Sequence, residues 1–191
     1  MSVGGPAVAA AALTACSQSA ATNAGAPANG AGGGTPGPGG TALASARSIV
    51  VELDSGKSFT VQLFPEDAPK TIDNFVTKIR AGYYNGLNFH RVEDWVVQGG
   101  DPSGNGSGGN QMPSEYNQRP FNAGSVGIAR RADPRFNNDS QFFIVKTPPP
   151  TPPGKWTQLD GQYTNFGQVT EGLDVVRAIK IGDKMKRITA R

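Results

Sequence analysis

Residues 89–101, FHRVEDWVVQGGD, contain most of two short β-prone runs, residues 88–92 and 95–98. The turn-forming pair Asn85-Gly86 leads into the first of these runs. The following residues, 99–124, are rich in Gly, Asn, Ser and Pro. Because such residues favour turns and irregular backbone, the stretch predicts two strands that end in a long surface loop.

Further β-prone runs flank this stretch on both sides. Residues 48–53 and 58–63 surround the turn signal Asp54-Ser55-Gly56-Lys57, and this arrangement predicts a hairpin. Later short runs lie at residues 125–129, 141–145, 166–169 and 185–189.

Two segments have the apolar spacing of helices. Residues 65–69 open the first, in which Ile72, Phe75, Val76 and Ile79 share one face, and Gly82 can end it. The second lies at residues 172–179. Many short strands with two widely separated helices predict an all-β-dominated fold, a closed antiparallel β-barrel with a helix over each open end.

The charge of the chain and its few reactive side chains restrict the classes of function that it can have. The 18 basic and 15 acidic residues all follow residue 46, and the net charge is only +3 without a Lys/Arg run, which argues against nucleic-acid binding. One Cys and one His cannot form a structural zinc site or an intrachain disulfide. Because Cys16 precedes the charged part of the chain, a Cys/His nucleophile pair is also excluded, and no metal or cofactor is expected.

The uncharged N-terminal segment predicts an export signal followed by a flexible linker. Residues 1–16 resemble a bacterial lipoprotein signal, in which a short apolar run leads to Leu13-Thr14-Ala15-Cys16 and the cysteine becomes lipidated. Residues 17–46 are mostly Ala, Gly, Pro, Ser and Thr, a composition that favours a disordered linker. The predicted location is the cell envelope outside the cytoplasm. The alternative is an Ala/Gly-rich tail on a cytoplasmic protein.

Four motifs in order give the folded part, residues 47–191, a family resemblance. They are Phe89-His90-Arg91-Val92, Val97-Gln98-Gly99-Gly100-Asp101, Ser140-Gln141-Phe142-Phe143-Ile144, and Leu159-Asp160-Gly161 with Phe166-Gly167 behind it. Together they resemble a cyclophilin in its bacterial form. The resemblance implies an eight-stranded antiparallel barrel with two helices, and peptidyl-prolyl cis–trans isomerase activity on proline-containing polypeptides. It also implies a monomer that assists the folding of exported proteins.

The same resemblance implies which residues form the site. Arg91 matches the catalytic arginine, Gln98 the glutamine that binds the substrate backbone, and Phe143 the floor of the proline pocket. The other implied substrate-binding residues are Trp95, Val96, Ala129, Arg130, Gln141, Leu159 and Tyr163.

These residue types suit a reaction in which no covalent bond breaks. Rotation about an X–Pro bond needs no nucleophile, and a permanently protonated guanidinium can donate a hydrogen bond to the prolyl nitrogen of the twisted transition state. Two alternatives stay open, a non-catalytic module that binds proline-containing segments and a general holdase. The first is motivated by the spacing from Arg91 to Gln98, which is one residue shorter than usual. It is also motivated by Gln158, where many members have tryptophan.

Overall fold

A computed structural model describes residues 46–147 and 158–191. The predictions that concern the signal segment, Cys16 and most of the linker fall outside these residues, as does Trp156 in the proline-rich stretch. Ala46, the last residue of the predicted linker, lies within them and is buried.

The described residues form nine strands and two helices. The strands are β1 (Ser48–Leu53), β2 (Ser58–Leu63), β3 (Phe89–Val92), β4 (Val96–Gly99), β5 (Gln111–Pro113), β6 (Ser125–Arg130), β7 (Phe136–Val145), β8 (Asn165–Glu171) and β9 (Met185–Ala190). The helices are α1 (Pro69–Arg80) and α2 (Leu173–Ala178). The two helices in this part of the chain have 12 and 6 residues, and neither could span a lipid bilayer.

Eight of the strands form one curled antiparallel sheet in the order β3-β4-β7-β6-β8-β2-β1-β9, and β5 pairs with β7 beside this path. The all-β architecture with two helices is therefore confirmed. The predicted closure of the barrel is corrected, because β3 and β9 at the two ends of the path do not pair as strands. The β pairing between these two ends is an isolated bridge between Asn88 and Lys184, the residues just before β3 and β9. Because the chain turns at residues 81–86 and 181–182, the start of each strand faces a turn of the other segment, and no full ladder forms.

Alternating burial explains the hairpin of β1 and β2. Phe59, Val61 and Leu63 are buried in β2, while the residues between them are partly or fully exposed. Gly56 takes a φ of +78° in the turn, a conformation that only glycine adopts at little cost.

Helix α1 packs its apolar face against β7 and β9. It begins at Pro69, at the end of the segment predicted to open it, because proline is well suited to the first turn of a helix. The preceding residue provides no side-chain cap. Instead Glu115, from the long loop, accepts hydrogen bonds from the backbone N–H groups of Lys70 at 3.0 Å and Thr71 at 2.6 Å. A residue far away in the sequence thus satisfies the free donors of the helix.

Strand β7 separates two apolar clusters. Phe142 lies in the main core, where its ring contacts that of Phe75 at a centroid distance of 5.5 Å. Phe143 points to the opposite face and belongs to a smaller cluster with Phe121 and Tyr163. The alternation of side chains along a strand thus gives the two adjacent phenylalanines different surroundings.

Candidate active site

The smaller apolar cluster lines a small, open cleft whose accessible lining is mainly apolar. Its lining consists of Arg91, Trp95, Val96, Gln98, Ala129, Phe143, Leu159 and Tyr163. All of these belong to the set that the sequence assigns to the site.

Strand register brings the central residues of the cleft together. Arg91 of β3 is paired with Gln98 of β4, and Gln98 is paired with Phe143 of β7. Phe143 is in turn paired with Gly127 of β6. Because directly paired residues project from the same face of a sheet, these positions form one row across four strands. We call them the active-site row.

Hydrogen bonds connect the polar end of the active-site row, Arg91 and Gln98, to the long loop. Arg91 Nη1 donates to Gln98 Oε1 at 3.4 Å, and Gln98 Nε2 donates to Gln141 Oε1 at 3.0 Å. Gln141 Nε2 donates to the carbonyl groups of Gly106 at 3.1 Å and Gly108 at 2.9 Å. The arginine is therefore connected to the long loop through two glutamine side chains.

Asp101 organises the part of the loop that anchors this chain. Its carboxylate is fully buried and accepts hydrogen bonds from four backbone N–H groups, those of Ser103, Asn105, Gly106 and Gly108. Burial alone would raise the pKa of Asp101, but these N–H donors outweigh it and hold the pKa below its usual value. The Asp101 carboxylate thus stays ionised and stabilises the conformation of the loop.

The apolar wall of the cleft is a set of packed rings. Phe143 stacks on Phe121 at a centroid distance of 5.6 Å and meets Tyr163 edge-on at 5.6 Å. Asp160 Oδ1 accepts a hydrogen bond of 2.7 Å from the backbone N–H of Phe121 and so ties it to the turn that carries Leu159. Sequence reasoning did not assign Phe121 to the site. It lies in an irregular loop without periodicity, so the sequence gives no signal for its contact with Phe143.

Two residues of the predicted site lie beside the cleft rather than in its lining. Gln141 is buried and connects Gln98 to the carbonyl groups of the long loop. The Arg130 guanidinium lies over the ring of Tyr163, 4.9 Å from its centroid, and thus stands next to the wall. Burial raises the pKa of Tyr163 above its usual value, so its hydroxyl remains protonated at neutral pH.

His90 takes no part in the cleft lining. It precedes Arg91 in β3, is half-buried, and its Nδ1 atom has no hydrogen-bond partner among the described residues. Burial lowers the pKa of His90, so the imidazole is neutral at pH 7. A neutral histidine outside the cleft is consistent with a reaction that needs no acid or base.

A family model described as cyclophilin-type peptidyl-prolyl cis–trans isomerase matches residues 48–190, the whole of the sheet and both helices. The chain belongs to the cyclophilin family. Its activity is therefore the cis–trans isomerisation of X–Pro peptide bonds.

Curated relatives agree with the family model. A peptidyl-prolyl cis–trans isomerase of Synechococcus elongatus is 40% identical over 141 residues, which cover 71% of this chain and 90% of the relative. Peptidyl-prolyl cis–trans isomerase B of Bacillus subtilis is 38% identical, with 71% of this chain and 92% of the relative covered.

A solved structure supports the same fold. The cyclophilin-type isomerase of Cryptosporidium parvum superposes with a TM-score of 0.65 at 25% identity, covering 76% of this chain and 98% of that chain. A second structure of that protein, obtained in the presence of the dipeptide Ala-Pro, gives a TM-score of 0.63 at 25% identity and covers 75% of this chain and 98% of that one.

The close packing of Gly127 under the cleft floor gives a testable prediction. A Cβ atom at this position would lie 2.7 Å from Cε1 of Phe143 and 2.9 Å from Cε1 of Phe121. We expect the methyl group of Gly127→Ala to push the Phe143 ring into the cleft, because Phe121 blocks the other side. The expected loss in kcat/KM is at least about tenfold, equal to about 1.4 kcal/mol. A protease-coupled proline-peptide assay measures it.

Gly56→Ala is the matched control. A Cβ there meets nothing within 4 Å, but the residue has a φ of +78°. This variant should therefore lose stability without losing activity. Full activity of Gly127→Ala would contradict the placement of Phe143 as the floor of the substrate site.

Proposed function

We propose that Arg91 is the catalytic residue and that the cleft above Phe143 holds the substrate proline. The observation that supports this most strongly is the active-site row, which brings a guanidinium, a glutamine amide and an aromatic floor side by side. The related Cryptosporidium protein, whose structure was determined in the presence of Ala-Pro, agrees with a proline-containing ligand.

The mechanism follows from the electronic change during rotation. Twisting the X–Pro bond removes amide resonance, which normally gives a barrier of ~18–20 kcal/mol. The prolyl nitrogen then becomes pyramidal and its lone pair becomes available as an acceptor. Arg91 donates a hydrogen bond to that lone pair, and this interaction exists only in the transition state. Such an interaction accelerates the reaction without tightening the binding of substrate.

The hydrogen bond from Arg91 supplies only part of the acceleration. Raising a rate from about 0.01 to about 1000 per second needs roughly 7 kcal/mol. One hydrogen bond to a charged group contributes about 1.5–3 kcal/mol. We assign the remainder to the apolar cleft, which fixes the ring, and to Gln98 and the Ala129 backbone, which fix the neighbouring peptide while the other side rotates.

The shorter β3–β4 connection supports an active enzyme rather than a binding module. Although the spacing between Arg91 and Gln98 lacks one residue, the two remain directly paired across the strands. The β3–β4 ladder has a register shift between Phe89 and Arg91, but the pair of Arg91 and Gln98 at the polar end of the active-site row is retained.

Replacing Arg91 tests the catalytic assignment. Arg91→Ala should lower kcat/KM at least about a hundredfold, or about 2.7 kcal/mol, while thermal unfolding stays cooperative. Arg91→Lys should restore little of the loss, because a compact ammonium lacks the planar fork of donors that a guanidinium presents. A loss smaller than threefold in either variant would rule out this mechanism.

We further propose that the protein is exported and anchored through a lipid on Cys16. The support is the apolar run that ends in Leu13-Thr14-Ala15-Cys16 and the uncharged, Gly/Pro-rich stretch behind it. A chain of that composition reaches roughly 30 Å, which would keep the isomerase domain near a membrane surface. Exported, newly translocated polypeptides would then be its substrates.

Cell fractionation tests the anchor. The full-length protein should partition with membranes, because the two or three acyl chains of a lipoprotein anchor stably where a single chain does not. Cys16→Ser should move it to the soluble fraction with unchanged isomerase activity. Wild-type protein in the soluble fraction, with the mass of an unmodified chain from Met1, would contradict the proposal.

A further inference from the structure

Glu93 connects two walls of the active site through a single carboxylate. Its Oε1 accepts a hydrogen bond from Arg91 Nε at 2.8 Å and lies 2.7 Å from Arg91 Nη2. Its Oε2 accepts a hydrogen bond from the indole nitrogen of Trp95 at 2.8 Å. Each oxygen therefore serves one residue that lines the cleft.

The backbone of the loop that carries Glu93 is held on both sides. Its N–H donates to the carbonyl of Val96 at 2.8 Å, and its own carbonyl accepts from Lys146 Nζ at 2.9 Å. The backbone N–H of Lys146 donates to the carbonyl of Trp95 at 2.8 Å. The carboxylate is thus presented from a short, anchored loop, and Lys146 at the end of β7 fixes it.

We propose that Glu93 is a positioning residue, which orients the Arg91 guanidinium and the Trp95 indole relative to each other. This inference depends on the proposed catalytic role of Arg91. The arginine has five N–H donors in a fixed fork. Glu93 binds the edge formed by Nε and Nη2, and Gln98 meets Nη1 at 3.4 Å. The donors that remain on the two terminal nitrogens are then held in a defined direction.

Glu93 has two opposing effects on catalysis, and the geometric one should dominate. Its negative charge weakens the pull of the guanidinium on the prolyl lone pair. However, the side chains of Arg91 and Glu93 are 28% and 40% exposed, so solvent screens this charge effect. Hydrogen-bond donation, in contrast, weakens steeply when the donor is misaligned. Without Glu93, the arginine would keep the longer contact to Gln98 and the less directional contact with the Trp95 ring.

The indole of Trp95 contacts both Glu93 and Arg91. Trp95 lies in the β3–β4 connection, where its backbone carbonyl accepts a hydrogen bond from the N–H of Lys146 and its indole nitrogen donates to Glu93. The guanidinium carbon of Arg91 lies 5.9 Å from the centre of its ring, within the range of a cation–π contact. The bond to Glu93 sets the rotation of the indole and therefore the shape of that wall.

The variant Glu93→Gln tests the proposal, because an amide has one accepting oxygen and can satisfy only one of the two donors. We expect kcat/KM to fall about tenfold, mainly through kcat. Asp94→Asn is the matched control: it removes the same charge from the next residue, which is exposed and makes no hydrogen bond or ion pair among the described residues. It should keep activity within about twofold. An equal loss in both variants would show that loop charge matters, and would overturn the positioning role.

A double mutant separates this inference from the function on which it rests. In an Arg91→Ala background, adding Glu93→Gln should lower kcat by much less than tenfold, because the guanidinium is gone and only the Trp95 indole is left to be oriented. A further tenfold loss there would overturn the inference while leaving Arg91 as the catalytic residue. If Arg91→Ala alone kept its activity, the catalytic assignment itself would fail, and the inference with it.

Trp95 provides a readout that does not depend on turnover. The chain has two tryptophans, so Trp156→Phe leaves Trp95 as the sole indole. In that background, Glu93→Gln should lower the fluorescence anisotropy of Trp95, whereas Asp94→Asn should not. Unchanged anisotropy together with unchanged kcat/KM would overturn the proposal. Thermal unfolding of each variant identifies any general loss of folding.

Discussion

The active site depends on the register of four neighbouring strands. The pairing of β3, β4, β7 and β6 places Arg91, Gln98, Phe143 and Gly127 in one row across the sheet. A slip by one residue would turn the side chains of a strand to the other face. The adjacent positions show what that would mean: Val97 and Ile144 are paired in the same way and lie in the main core. Catalytic geometry and core packing are thus specified by the same pairings.

The two faces of the sheet have different roles: one packs into the core, and the other carries the active-site cleft. One face packs Phe142, Phe75 and Phe166 into a continuous core whose burial stabilises the fold. The other face carries an open cleft above Phe143, and the apolar side chains of the smaller cluster that lie at this cleft are largely buried against one another. The rings of Phe121 and Tyr163 support Phe143 from the sides, so the floor stays in place while the cleft is empty.

Local periodicity predicted the regular parts of the fold, such as the β1–β2 hairpin and the buried face of α1. It did not predict β5 or the full length of β7, which begins at Phe136 and not near Gln141. The reason lies in Asn137, Asn138 and Ser140, which are polar yet buried, because hydrogen bonds to the long loop and to neighbouring side chains satisfy them. Hydrophobic patterns cannot reveal a strand of that kind. Phe121 and Glu93 were missed as site residues for a related reason, since their importance comes from tertiary contacts in irregular segments.

In the proposed mechanism, the guanidinium of Arg91 lies against the X–Pro bond while Phe143 contacts the proline ring. A crystal structure of the protein with a short peptide containing Ala-Pro tests this arrangement. We expect the proline ring in contact with Phe143, the preceding peptide hydrogen-bonded to Gln98, and an Arg91 nitrogen within about 3.5 Å of the X–Pro amide. A proline ring outside this cleft, or a guanidinium turned away from the amide, would contradict the mechanism.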